Sequence, residues 1–305
     1  MEKIKASKVL YIKLGPKGRW EQRCIEKDQT LRLSFQENDH KDYLNKKWGK
    51  VLKYYIESGY KKNVATSFVN QIKYFYESGD DVLWITFYGN KLWWCFSKPG
   101  IHLLEDKTKV RKVLEKWQST DIEGNELFTE NLSGSLSKTQ GFRGTICKVQ
   151  EKDYVLRKIN REDLLDVTRT KESLRTLKDN LIELIKRLHW QDLEILIDLI
   201  FRQAGYQRIG PIGKTQKTLD LDLISPVTSE KVFVQVKSDS SKKDFDDYCN
   251  KFKKMKEYKK LFYVVSRGNL KKSNVDGKIN LLLVEDIAKL AINSGLTNWI
   301  IKKVS

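Results

Sequence analysis

The stretch Leu219-Asp220-Leu221-Asp222-Leu223-Ile224, followed by Phe233-Val234-Gln235-Val236-Lys237, decides how this 305-residue chain is read. Both runs are apolar with polar residues at alternate positions, the pattern of strands. Alternation puts Asp220 and Asp222 on one face of the first strand, and Gln235 and Lys237 on one face of the second. Carboxylates inside an apolar strand are costly to bury unless they are paired or bound to metal. Two carboxylates, an amide oxygen and an ammonium converging on one spot suit metal-assisted hydrolysis of a phosphodiester. Hard oxygen donors hold Mg2+ (Mn2+ substituting), the ion lowers the pKa of a bound water, and a lysine steers that water or offsets transition-state charge. The plainer alternative is an edge strand whose aspartates are solvated beside a Gln/Lys surface pair.

The flanking residues predict a small α/β sheet with helices on both faces. A helix at Trp190–Gln203 ends at Ala204-Gly205, a glycine C-cap. Strands follow at Thr218–Ile224 and Val232–Lys237, with Ser225-Pro226 opening the link between them. The helix expected over Lys243–Lys260 has the apolar stripe Phe245, Tyr248, Phe252 and Met255. Strands at Leu261–Ser266 and Ile279–Leu283 and a helix at Val284–Asn293 complete the set. The polar face of helix 243–260, with Lys242 just ahead of it, carries Lys243, Lys251, Lys253, Lys254, Lys256, Lys259 and Lys260, joined by Arg267, Lys271 and Lys272. These cations suit a phosphate backbone, although a merely solvated face is the usual meaning of such a run.

The Asp–x(n)–Gln-x-Lys pattern follows a helix that carries Leu193-Glu194-x-Leu196 and runs to Ala204-Gly205-Tyr206. This combination resembles the PD-(D/E)XK nuclease superfamily, and within it the Mrr-like catalytic domain of restriction endonucleases. The resemblance spans residues 188–293, about a third of the chain. It implies a restriction-endonuclease-like fold and Mg2+-dependent DNA cleavage, with Asp222, Gln235 and Glu194 on the metal and Lys237 at the water. Asp222 is preferred because Leu223-Ile224 continue the strand as the family's apolar residues do, and Asp220 is the second candidate ligand. Leu193 replaces the family's aromatic, and Lys217-Thr218-Leu219 replaces its glycines. Glutamine in place of glutamate removes one negative charge, which Glu194 or Asp220 restores.

The first 160 residues are different in character. Six of the eight tryptophans, namely Trp20, Trp48, Trp84, Trp93, Trp94 and Trp117, precede residue 118. Val82–Tyr88, Gly89-Asn90 and Lys91–Phe96 predict a hairpin in which Leu83 faces Phe96, Ile85 faces Trp94 and Phe87 faces Leu92. That face is core; Trp84, Thr86, Trp93 and Cys95 fall on the other. Strands at Lys8–Leu14 and Thr145–Val149 and helices at Val51–Ser58 and Val64–Glu77 make this a compact α+β or barrel-like domain. Trp84 or Trp93 is expected to line a pocket that stacks on an unpaired or flipped base. Lys138 and Arg143, in the Gly/Ser-rich loop 133–144, are candidate phosphate ligands. The layout is similar to the PUA-like, EVE-type readers fused to modification-dependent nucleases, which implies a modified-base reader. Between the two lies an amphipathic helix in 161–188, with Leu174, Leu177, Leu181, Leu184, Ile185 and Leu188 on one face. The expected division is therefore 1–160 reader, 161–188 connector and 189–305 nuclease.

Charge follows that division. The chain holds 58 Lys+Arg against 40 Asp+Glu, a net +18. Residues 1–150 hold 27 basic and 18 acidic side chains, residues 151–200 hold 10 and 11, and residues 201–305 hold 21 and 11. Two basic lobes about a neutral middle fit a protein that touches one nucleic acid, here double-stranded DNA, at two places. No apolar run reaches the roughly 18–20 residues of a membrane span, and Met1-Glu2-Lys3-Ile4-Lys5 lacks a signal-peptide pattern. Four dispersed cysteines suggest reduced thiols in the cytoplasm. No Walker motif appears, so no nucleoside triphosphate is expected; one site per chain against two DNA strands suggests a homodimer. An adaptor that binds nucleic acid through an inactive nuclease fold is the alternative.

Overall fold

The computed structural model describes residues 2–35, 40–209, 220–272 and 277–305. Thr218 and Leu219, the first two residues of one expected strand, lie outside the described residues. The chain divides into two compact units, Met1–Asp163 and Leu164–Ser305.

The first unit runs β1 (Lys8–Ile12), β2 (Thr30–Leu33), α1 (His40–Leu44), α2 (Trp48–Glu57), α3 (Lys62–Glu77), β3 (Val82–Tyr88) and β4 (Lys91–Phe96). It continues with β5 (His102–Leu103), β6 (Lys109–Lys112), the single turn α4 (Gly134–Ser137), β7 (Ile146–Lys148) and α5 (Lys152–Ile159). One sheet has the order β4-β3-β1-β7, with β1 and β3 parallel; a smaller one has the order β2-β6-β5. Among the described residues both sheets are open, so the unit is α+β rather than a closed barrel.

The β3–β4 hairpin has the register that its sequence predicts: Leu83 opposite Phe96, Ile85 opposite Trp94, Phe87 opposite Leu92. Gly89 (φ 57°) and Asn90 (φ 60°) are both left-handed, as a two-residue turn that matches strand twist requires. Leu83, Ile85, Phe87, Leu92 and Trp94 enter one apolar core. The opposite face is also covered, contrary to expectation. Trp84 and Thr86 are fully buried, and Phe75 of α3 sets its ring 6.2 Å from that of Trp84. Sequence alternation separates two faces but does not say that a helix packs on the second. The Gly/Ser-rich segment 133–144 is likewise ordered: Ser133 Oγ accepts the Leu136 N–H at 3.2 Å, and Leu136 is fully buried.

The second unit runs α6 (Leu165–Arg187), α7 (Trp190–Gln203), β8 (Gln207–Arg208), β9 (Leu221–Ile224), β10 (Lys231–Asp239), α8 (Lys242–Lys254), β11 (Tyr258–Arg267), β12 (Ile279–Leu282), α9 (Val284–Asn293) and α10 (Thr297–Val304). The sheet order is β12-β11-β10-β9-β8. Strands β10, β11 and β12 are parallel, and β9 and β8 are antiparallel to their neighbours. Helices lie on both faces. Leu181, Ile185, Leu193, Ile197 and Ile287 bury one side against Val234 and Val236; Phe245, Cys249 and Phe252 of α8 bury the other against Phe233 and Tyr263.

Helix α6 packs as an ordinary helix of the second unit: Leu181, Ile185 and the C-cap residue Leu188 enter its core, while Leu174 and Leu177 stay exposed. Helix α8 stops at Lys254 instead of Lys260. After Met255 the next position of its apolar stripe is Lys259, so nothing holds a further turn to the sheet, and Tyr258 and Lys260 pair with β10 instead. Lys253 and Lys254 are exposed at the end of α8; Lys259 and Lys260 are exposed on β11.

Candidate functional site

Helix α7 delivers Glu194 to the start of β9. It ends in a Schellman motif: Gly205 (φ 87°) donates to the Arg202 carbonyl, Tyr206 donates to the Phe201 carbonyl, and the Phe201 and Tyr206 rings lie 5.4 Å apart. The apolar stripe Leu193, Leu196, Ile197 and Ile200 faces the sheet and leaves Glu194 half-buried at its margin. On the sheet, β9 pairs antiparallel with β10, Leu221 opposite Val234 and Asp222 opposite Phe233. One step further puts Asp220 opposite Gln235.

Asp220 and Gln235 are in direct contact. The Asp220 carboxylate accepts the Val236 backbone N–H at 2.7 Å and the Gln235 side-chain amide N–H. With its nitrogen so engaged, the Gln235 amide points its oxygen elsewhere. That oxygen is buried, as is the residue at 1% exposure, and has no hydrogen-bond partner among the described residues. A buried acceptor left unpaired costs about 1–3 kcal/mol, so the position calls for a ligand. Lys237, two residues on, lies with its ammonium 5.5 Å from the Tyr248 ring of α8.

The electrostatics tie the group together. Burial holds the Asp220 carboxyl above its usual range, against the lowering effects of the Val236 N–H, the Lys237 charge and the Gln235 amide. Burial and then the Asp220 charge raise the Glu194 carboxyl, while Lys237 and Arg208 pull it down. Two half-buried carboxylates, one of which raises the other, beside a lysine are the arrangement a cation relieves. Among the described residues no three His, Cys, Asp or Glu side chains gather as a metal-holding group; the donor set is two carboxylates and the orphaned amide oxygen. Hard oxygens of this kind fit Mg2+ or Mn2+.

Asp222 stands apart from these contacts. Opposite Phe233 rather than Gln235, its carboxylate bears on the Tyr258 hydroxyl, which burial first and the Asp222 charge second push up to about 12. Asp222 too keeps a buried carboxylate oxygen without a hydrogen-bond partner among the described residues. Continuation of the apolar strand favoured Asp222 in the sequence, whereas the β9–β10 register gives Asp220 the contact with Gln235.

Arg208 is a participant that sequence reasoning missed. It lies on the edge strand β8, reaches Asp198 of α7 at 4.0 Å and the Asp220 carbonyl at 3.5 Å, and keeps a buried Nε without a hydrogen-bond partner. No motif marks it, because only the β8–β9 pairing brings residues 208 and 220 together.

Of the expected nucleic-acid ligands, Lys253, Lys254, Lys138 and Arg143 are exposed. Trp84 is excluded from base stacking by its complete burial. Trp93 is half-buried, with its indole N–H on the Tyr88 carbonyl at 3.0 Å and its ring 6.5 Å from that of Tyr88. All four cysteines are free. Among the described residues no helix is long and apolar enough to cross a membrane. No family model, no curated protein and no solved structure matches this chain.

Proposed function

We propose that the second unit is a Mg2+-dependent endodeoxyribonuclease of the PD-(D/E)XK, Mrr-like kind, and that the first unit selects the double-stranded DNA it cuts, with base modification as the selected feature. The observation that carries this is the buried, unpartnered Gln235 oxygen beside Asp220 and Glu194, with Lys237 next to them. Asp220, Gln235 and Glu194 would hold the metal. When bound, such an ion polarises the phosphate and makes water a stronger nucleophile. Lys237 orients the attacking water and offsets charge on the phosphate, and its approach to the Tyr248 ring restrains where its ammonium sits. Lys253 and Lys254 follow the phosphate backbone from the end of α8. One site per chain against two DNA strands favours a homodimer. The free thiols fit a reducing compartment such as the cytoplasm.

A nucleic-acid-binding adaptor with an inactive nuclease fold is the second reading. It is favoured by the direct bond between the Gln235 amide and Asp220, and by a site with two carboxylates in place of three. Matched supercoiled plasmids that are unmodified, methylated, hydroxymethylated or phosphorothioated distinguish the readings. The nuclease nicks and linearises at least one of them in Mg2+, none in chelator, and treats them unequally. Equal cutting of all four removes modification as the selected feature; binding without any cutting leaves the adaptor.

A further inference from the structure

At the turn between α2 and α3 the first unit exposes two tyrosines, Tyr54 and Tyr60, further than any of its tryptophans. Helix α2 ends there in a Schellman motif: Gly59 (φ 90°) donates to the Ile56 carbonyl at 3.0 Å, and Tyr60 donates to the Tyr55 carbonyl at 3.1 Å. An apolar contact commonly closes the outer of these two bonds, and the Tyr60 and Tyr55 rings lie 6.0 Å apart at 75°. Phe68 of α3 meets the Tyr60 ring at 5.2 Å, and Tyr54 meets Tyr55 at 5.5 Å, both edge-on. Tyr55 is 2% exposed, whereas Tyr54 and Tyr60 are 38% and 47% exposed. One buried ring therefore holds two exposed ones, and helix geometry fixes where they stand.

The same turn concentrates positive charge. Residues 40–63 hold seven lysines against one aspartate and one glutamate, a balance of +5 where residues 1–150 together hold +9. Lys53 and Glu57 form an exposed ion pair at 3.5 Å, a contact that binds its partners weakly. Lys61 and Lys62 are exposed and form no ion pair among the described residues. Helix α3 opens at Lys62 with no acidic residue in its first turn, so both ammonium groups sit at the positive end of the helix dipole. That placement is unfavourable until an anion offsets it.

We infer that the α2–α3 turn is a DNA-binding surface on which Tyr54 and Tyr60 stack against unpaired bases while Lys53, Lys61 and Lys62 hold the adjoining phosphates. Every base has a π-face and every nucleotide a phosphate beside it, so aromatic rings among lysines match a strand whatever its sequence. An apolar peptide would leave the lysines unmatched, and a free inorganic anion would leave the tyrosines so. A base inside a duplex shows only its edges in the grooves, so the surface takes DNA that is single-stranded or locally opened. The inference rests on the reading of the first unit as the part that selects DNA, and it moves the stacking residues from Trp84 and Trp93 to Tyr54 and Tyr60.

The test is fluorescence anisotropy of the full chain, in chelator, with a labelled thymine strand and a fully paired duplex of the same length. Tyr60→Ala should weaken single-strand binding about tenfold, as for one base stacked on an aromatic ring, and change duplex binding by less than about twofold. Tyr60→Phe should bind as the wild type does, because the stacking face is kept. Tyr54→Ala should act as Tyr60→Ala does, and decides the matter should Tyr60→Ala fail to fold. Replacing Lys61 and Lys62 by glutamine should lower the salt-dependence slope of single-strand binding by about 0.7 per lysine. Unchanged single-strand affinity in the alanine variants, equal losses on single strand and duplex, or a Tyr60→Phe variant as weak as Tyr60→Ala overturns the inference. Without divalent metal the measurement is blind to cleavage, so such a failure leaves the nuclease standing. A chain that binds as described and cuts nothing removes the nuclease alone, and a wild type that binds no DNA removes both this surface and the selecting role of the first unit.

Discussion

Lys237→Ala lowers Mg2+-dependent DNA cleavage by about 10²- to 10⁴-fold, the range for losing a positioned proton-transfer or charge-stabilising group. Among the described residues Lys237 is the one cation whose charge lowers both Asp220 and Glu194. It extends from β10 two residues after Gln235, and its ammonium approaches the Tyr248 ring on α8. On the proposed reading, DNA affinity measured in Ca2+ should change little, because the exposed lysines of α8 and β11 would carry most of the phosphate attraction and one cation is a small share of it. Single-turnover cleavage of supercoiled plasmid together with a gel-shift titration checks both halves. A rate like that of the wild type places the chemistry elsewhere; a loss of binding that equals the loss of rate makes Lys237 a phosphate anchor only.

Arg111→Ala destabilises the first unit by about 2–4 kcal/mol, the cost of losing charge-assisted hydrogen bonds and leaving buried carbonyls unpaired. The Arg111 side chain is 2% exposed. Its guanidinium donates to the Phe75 carbonyl at 2.8 Å and to the carbonyls of Ser78 at 2.9 Å and Lys98 at 3.3 Å. Phe75 lies in the last turn of α3 and Ser78 is its C-cap, so the cation sits where the helix dipole and unpaired carbonyls favour it. Burial holds the guanidinium down at about 10, still charged at neutral pH. Removal leaves three carbonyls and the space beside Trp84 without a partner. Arg111→Lys recovers only part of the loss, since an ammonium on a single stem does not reproduce the planar fork. Urea unfolding followed by tryptophan fluorescence measures both variants, and a cost below about 1 kcal/mol contradicts the account.

What the sequence made legible is what local pattern controls. Gly89-Asn90 fixes a hairpin register because two left-handed residues admit few turns, and Ala204-Gly205 marks the end of α7 for the same reason. The Phe245, Tyr248, Phe252 stripe shows which face of α8 packs. What stayed hidden depends on partners distant in sequence. Trp84 is buried because α3 covers a face that alternation alone leaves open. No sequence pattern marks Lys109 or Arg111, yet both are buried, and Arg111 is held by carbonyls from α3 and the exit of β4. Asp220 and Asp222 share a strand face by spacing, and only the pairing of β9 with β10 gives Gln235 to the first and Tyr258 to the second.

The central claim is that Asp220, Gln235 and Glu194 hold a divalent ion. Equilibrium binding of Mn2+, read from the free-ion electron paramagnetic resonance signal, tests it most directly in the wild type, Asp220→Asn and Asp222→Asn. The account predicts Mn2+ binding by the wild type, a loss of about tenfold or more in affinity for Asp220→Asn, as expected when a hard anionic donor is neutralised, and little change for Asp222→Asn. No Mn2+ binding by the wild type, or a loss in Asp222→Asn that Asp220→Asn does not share, contradicts it.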